Sequence, residues 1–137
     1  MIYLDTCAAM KLARHEPHSN EFFDWLEERF EEPLVSSALI EVELHRAVRR
    51  MEPAALARVP GILSNITMIE ITPSIRAAAA AFPDPLLRSL DAVHLATAQS
   101  VTATTGLHLT ALATYDKRLI LAARAVGLAV AHPGAQY

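Results

Sequence analysis

Four acidic residues in this chain stand where a solvated carboxylate is not expected. Asp5 closes the short apolar run MIYLD, and Asp116 directly follows the apolar run LTALATY. Asp91 lies within LLRSLDAVHLATAQ, whose spacing predicts a helix. At about 100° per residue it shares a side with Leu87, Leu95 and Ala98. A carboxylate there forfeits hydration unless a cation or donors replace the water. The plainer alternative is a helix-start acid bonding backbone N–H groups. The stretch ALIEVELHRAVRRM offers both Glu41 and Glu43, two positions apart and so on different sides. Glu43 travels with Leu39, Ile40 and Ala47 and is predicted to face inward. Glu41 travels with Ser37 and His45 and is predicted to face water. Four unpaired carboxylates gathered in one crevice would repel one another and raise their own pKa values. A hard divalent cation relieves that conflict, and Mg²⁺ or Mn²⁺ with oxygen ligands fits better than zinc. The chemistry suited to acid-held Mg²⁺ is displacement at phosphorus.

Other reactive types are sparse. Cys7 is the only cysteine, with no His in sequence to orient it, so a small packing residue is the expected role. A lone thiol also excludes an intrachain disulfide and a cysteine-rich zinc site, and points to a reducing, cytoplasmic setting. His94, one turn after Asp91 among Leu and Ala, is expected to be structural rather than a ligand or proton shuttle. Lys11, Arg14, Arg46, Arg49 and Arg50 could hold phosphates beside the acids, or form a solvated face paired with Glu41 and Glu52. Lys117 and Arg118 flank Asp116 with no assigned role.

These residues need a scaffold. With 137 residues, 53% of them hydrophobic, and 20% charged, one domain spanning 1–137 with a substantial core is expected. No apolar run is long enough to cross a bilayer. A net charge of −3 argues against gripping nucleic acid by overall charge. Yet the charge is uneven: residues 71–137 hold only three acids, Asp84, Asp91 and Asp116. Strands are predicted over 1–5, 33–37, 66–72, 109–115 and 128–132, from apolar and β-branched runs. Helices are predicted over about 6–13, 20–30, 38–51, 53–64, 73–82, 86–101 and 116–126. Alternating strands and helices imply a parallel sheet covered on both faces, an α/β domain. In such sheets ligands collect at the carboxyl ends of the strands, where Asp5 and Asp116 would fall.

The segments MIYLDTCAAMKLARHEP, SSALIEVELHRAVRR, LRSLDAVHLATA and LATYDKRLILAARAVGL together resemble the PIN-domain ribonucleases, and most closely the VapC-like toxins of toxin–antitoxin pairs. The resemblance runs from Ile2 to about His132. It implies a three-layer α/β/α fold on a five-stranded, mainly parallel sheet, with one or two Mg²⁺ or Mn²⁺ ions at one edge. It further implies an endoribonuclease acting on single-stranded or structured RNA, a cognate antitoxin as partner, and a homodimer away from membranes. Carried over by motif, Asp5, Glu43 and Asp91 are metal-binding acids and Asp116 the fourth, with Thr6 and Thr114 supporting them by hydrogen bonds. Lys11, Arg14, Arg46 and Arg50 become candidate RNA contacts. Phe22, Phe23, Trp25, Leu26 and Phe30 are core, or in part an antitoxin groove. One departure is Cys7, where the family usually carries serine. A PIN-fold module that binds RNA or protein without cleaving it is the alternative. A phospho-acceptor receiver domain is disfavoured, because Leu4 precedes Asp5 and Asp116 stands where such domains carry a lysine.

Overall fold

Ile2 and Leu4 turn to one side of the first strand and Tyr3 to the other, and all three are fully buried. This near-continuous apolar patterning is what a strand covered on both faces requires. In a computed structural model of the chain, which describes every residue from Met1 to Tyr137, five strands form one sheet. They are β1 (Ile2–Leu4), β2 (Leu34–Ser37), β3 (Ile66–Ile69), β4 (Ala111–Ala113) and β5 (Val130–Ala131). The order is β3-β2-β1-β4-β5 and every neighbouring pair is parallel. Ile2 sits in register between Leu34 and Ala111.

Helices α1 (Thr6–Ala13), α2 (Ser19–Glu27), α3 (Leu39–Met51) and α4 (Val59–Ser64) cover the face of Ile2 and Leu4. Helices α5 (Pro73–Ala81), α6 (Ser89–Thr105) and α7 (Lys117–Ala125) cover the face of Tyr3, Val35 and Leu112. Each layer has its own apolar cluster, so the architecture is three-layered, α/β/α. From β1 the chain builds outward through β2 and β3, then returns to place β4 on the other side of β1. The β1–β4 boundary is therefore the switch point at which open parallel sheets leave a crevice. No helix is long and apolar enough to cross a membrane.

Several boundaries differ from the sequence expectation for identifiable reasons. The helix expected over 53–64 divides into a 3-10 turn (Pro53–Arg58) and α4, because Pro60 supplies no N–H. The helix expected to reach residue 30 stops at Glu27, where the acids Glu27, Glu28, Glu31 and Glu32 oppose the negative end of the helix dipole. The aromatic stripe consequently divides: Phe22 is buried, Trp25 and Leu26 partly so, while Phe23 and Phe30 are exposed. Helix α6 starts three residues late, after a turn in which Asp84 accepts from the Leu86 N–H. It then continues to Thr105, and Gly106 ends it in the left-handed conformation (φ 73°). Its threonines persist because Thr104 and Thr105 return their hydroxyls to the Ser100 and Val101 carbonyls. Nor is α6 apolar on one side only: His94 through Ala98 are all buried.

Candidate active site

Asp5 sits one residue past β1, beside β4, and caps α1 by accepting from the Ala8 N–H at 2.8 Å. It is almost completely buried. Thr114, one residue past β4, donates its hydroxyl to Asp5 Oδ2 at 2.6 Å. The Cys7 Sγ lies 3.0 Å from both carboxylate oxygens. Burial pushes the Asp5 carboxyl above the usual aspartate value, and these donors offset only part of that cost. The same burial, with Asp5 alongside, drives the Cys7 thiol well above its ordinary range. Cys7 also accepts from the Tyr115 N–H. It is a positioned thiol rather than a nucleophile.

Glu43 reaches the same place from α3. Its Oε1 accepts from the Thr6 hydroxyl at 2.8 Å and stands 2.6 Å from His94 Nε2. Burial raises its pKa, but the hydrogen bond and charge attraction of His94, then the Thr6 hydroxyl and the charge of Arg88, outweigh that and hold it below the ordinary glutamate value. His94 is itself anchored, its Nδ1 lying 2.8 Å from the Tyr3 hydroxyl. The Tyr3 oxygen accepts from the Ser37 N–H, so its own proton is available to Nδ1. That leaves the Nε2–H to donate to Glu43. His94 is therefore not an isolated core histidine. It links the sheet interior to a pocket carboxylate.

Asp91 lies in the first turn of α6, yet it bonds no backbone N–H of its helix. Its Oδ2 takes the Arg88 Nε at 3.0 Å. Asp116 caps α7 through Oδ1, which accepts from the Arg118 and Leu119 N–H groups. Its Oδ2 receives the Arg88 Nη2 at 2.8 Å. One guanidinium thus bridges two acids 25 positions apart in the chain. Thr114 adds a further link, because the hydroxyl that serves Asp5 also accepts from the Asp116 N–H.

All four predicted acids line a single pocket of about 310 Å³, together with Thr6, Cys7, His94 and Arg88. The side of Glu43 is as predicted, and Glu41 is exposed. The protein's own groups already relieve part of the expected repulsion. Hydrogen-bond donors satisfy Asp5 and Glu43, and Arg88 offsets one of the two charges of Asp91 and Asp116. In this arrangement no group of three or more Asp, Glu, His or Cys side chains is placed to hold a metal ion. The donor set nonetheless suits one. It is all hard oxygen, and two of its carboxylates already converge on one positive charge.

The basic residues divide. Lys11 is corrected as an RNA contact: it is buried, donates to the Pro17 carbonyl at 2.8 Å, and lies 4.2 Å over the Tyr115 ring. Arg14 is held between Glu16 and Glu52. Arg50 is exposed and lines the pocket, and Arg46 is exposed beside Thr6 and Glu43. Sequence reasoning passed over Tyr3, Glu16 and Arg88. For Arg88 the signal was present, since a base three residues before an acid on a helix is a recognised pairing.

The PIN domain family model matches residues 2–125. The chain belongs to the PIN domain family. It is 53% identical over 98% of both chains to ribonuclease VapC35 of Mycobacterium tuberculosis. It is 38% identical to ribonuclease VapC47 of the same species over 98% of each chain, and 38% identical to ribonuclease VapC46 over 96% of this chain and 97% of that one. No solved structure matches it. Coverage of these PIN-domain relatives is nearly end to end, so their similarity takes in all four acid-bearing segments.

Proposed function

We propose that this PIN-domain protein is a divalent-metal-dependent endoribonuclease acting as the toxin of a toxin–antitoxin pair. The observation that carries the reading is the convergence of Asp5, Glu43, Asp91 and Asp116 on one pocket at the β1–β4 switch point. Near-full-length similarity to three ribonucleases supports the substrate class.

Asp5, Glu43, Asp91 and Asp116 would hold Mg²⁺ or Mn²⁺. When bound, such an ion polarises a phosphate oxygen and acidifies a water for in-line attack, giving a 5′-phosphate and a 3′-hydroxyl. The chain's own groups prepare the site. Thr114, Cys7 and the Ala8 N–H fix the Asp5 carboxylate. Thr6 and His94 both bond Glu43 through Oε1, which leaves its Oε2 for the pocket. Arg50 and Arg46 stand at the rim, where they would meet the RNA backbone. The RNA cleaved would be single-stranded or exposed in a loop, and an antitoxin and a second copy of the chain would be its protein partners.

The alternative, a PIN-fold module that binds without cutting, draws on the way the acids are satisfied without a metal. One experiment separates the two. Purified protein should cut RNA in Mn²⁺, and Asp5→Asn and Asp91→Asn should abolish cleavage while keeping the circular dichroism of the parent. Cleavage at the parent rate by either variant would place the reaction elsewhere.

A further inference from the structure

We propose that Arg88 is an exchangeable counter-ion: its guanidinium bridges Asp91 and Asp116 until a divalent cation takes those oxygens, and the freed group then binds a phosphate of the RNA. This deepens the proposed function and rests on the metal reading given there. Three observations support it.

The first is geometric. Arg88 uses Nε on Asp91 Oδ2 and Nη2 on Asp116 Oδ2. Asp116 Oδ1 is committed to capping α7, so Oδ2 is the oxygen it can offer to a pocket cation. Arg88 therefore occupies an atom that a metal would need. Two positive centres cannot share it at close range.

The second is electrostatic. One guanidinium leaves a net charge of −1 on the pair, whereas a divalent ion neutralises both acids. Exchange is favoured by charge as well as by geometry, and the ordinary hydration of Mg²⁺ tolerates a rim open to water.

The third is exposure. The Arg88 side chain is 61% exposed, against 16% and 23% for the two acids. Exposed ion pairs are weak, so the side chain leaves at little cost. It starts at the residue before α6, which places its released guanidinium on the rim that also carries Arg50. A planar, always charged fork there is matched to phosphate oxygens.

The test uses calorimetric titration of Mn²⁺ alone into the full chain, with Arg88→Ala, Arg88→Gln and Asp91→Asn alongside. Two exposed pairs predict that Arg88→Ala and Arg88→Gln bind Mn²⁺ about three- to tenfold more tightly than the parent. In cleavage of a short single-stranded RNA at saturating Mn²⁺, the same variants should raise KM more than they lower kcat. A merely structural arginine would not move metal and RNA affinity in opposite directions. Unchanged or weaker Mn²⁺ binding in both Arg88 variants, with binding lost in Asp91→Asn, overturns the exchange and leaves the metal reading intact. Tighter Mn²⁺ with an unchanged KM overturns the phosphate role. No Mn²⁺ binding by either the parent or the Arg88 variants overturns both readings together.

Discussion

His94 Nε2 stands 2.6 Å from Glu43 Oε1, while the other nitrogen of the same ring lies 2.8 Å from the Tyr3 hydroxyl. A carboxylate on α3 is thus aimed by a residue on α6, which is aimed in turn by a residue of the central strand. Removing the imidazole takes from the buried Tyr3 hydroxyl its side-chain partner and from Glu43 Oε1 one of its two hydrogen-bond partners. His94→Ala should lower the unfolding free energy by about 2–5 kcal/mol, combining a lost buried hydrogen-bond network with a cavity. Groups that orient metal-binding side chains typically alter metal affinity by about 10–100-fold. Mn²⁺ affinity should fall within that range, and calorimetry with urea unfolding checks both. Tyr3→Phe, which keeps the ring volume, should show a smaller loss of about 1–3 kcal/mol from the orphaned Ser37 N–H.

Thr114 serves two acids at once, donating to Asp5 and accepting from the Asp116 N–H. Thr114→Val keeps the shape and removes both bonds inside a fully buried site. The expected cost is about 1–3 kcal/mol with RNA cleavage sharply reduced. Thr114→Ser should restore most of both. A Val variant that is as stable and as active as the parent would show that the hydroxyl does not organise the pair.

The raised pKa of Asp5 makes a signed prediction for metal-free protein. Its folded value lies above its unfolded value, so the folded state holds the extra proton between the two. The stability contributed by the protonated group is full below the unfolded pKa and declines as pH rises through the folded one. Asp5→Asn removes that dependence and keeps a residue suited to capping α1. Its stability relative to the parent should therefore rise with pH above the ordinary aspartate range, by at most about 1.4 kcal/mol per pH unit, then level off. Paired urea titrations across pH 3–8 read this out. A difference independent of pH would contradict it.

Cys7 is held between Asp5, Thr114 and the Tyr115 N–H with its thiol pKa driven upward. Each unit of upward shift lowers the thiolate fraction about tenfold. Alkylation by iodoacetamide at pH 7.5 should therefore be more than about tenfold slower in the folded protein than in urea. Cys7→Ser should still cut RNA, because the hydroxyl can make the same donation to Asp5. Loss of cleavage in that variant would give the thiol a chemical role.

Much of this was legible in the sequence. Strand and helix order followed from apolar runs and helical spacing, and the inward side of Glu43 followed from Leu39, Ile40 and Ala47. Asp5 and Asp116 could be placed because they directly follow buried strands. Boundaries slipped where side-chain hydrogen bonds decide, as at Thr104 and Thr105 in α6, or where Pro60 breaks a helix. What spacing could not reveal were links between distant elements. The hydroxyl of Tyr3 meets His94 across 91 positions, and Arg88 meets Asp116 across 28. Lys11 misled because its charge was legible and its burial over Tyr115 was not.

The central claim is that the acid pocket hydrolyses RNA with a divalent ion. It is tested most directly by incubating purified protein with a single-stranded RNA in EDTA, then adding back Mn²⁺, and sequencing the ends formed. The expected result is no cleavage in EDTA, cleavage on add-back with 5′-phosphate and 3′-hydroxyl ends, and none at any metal concentration for Asp5→Asn. Cleavage that persists in EDTA, or that survives Asp5→Asn, would contradict it.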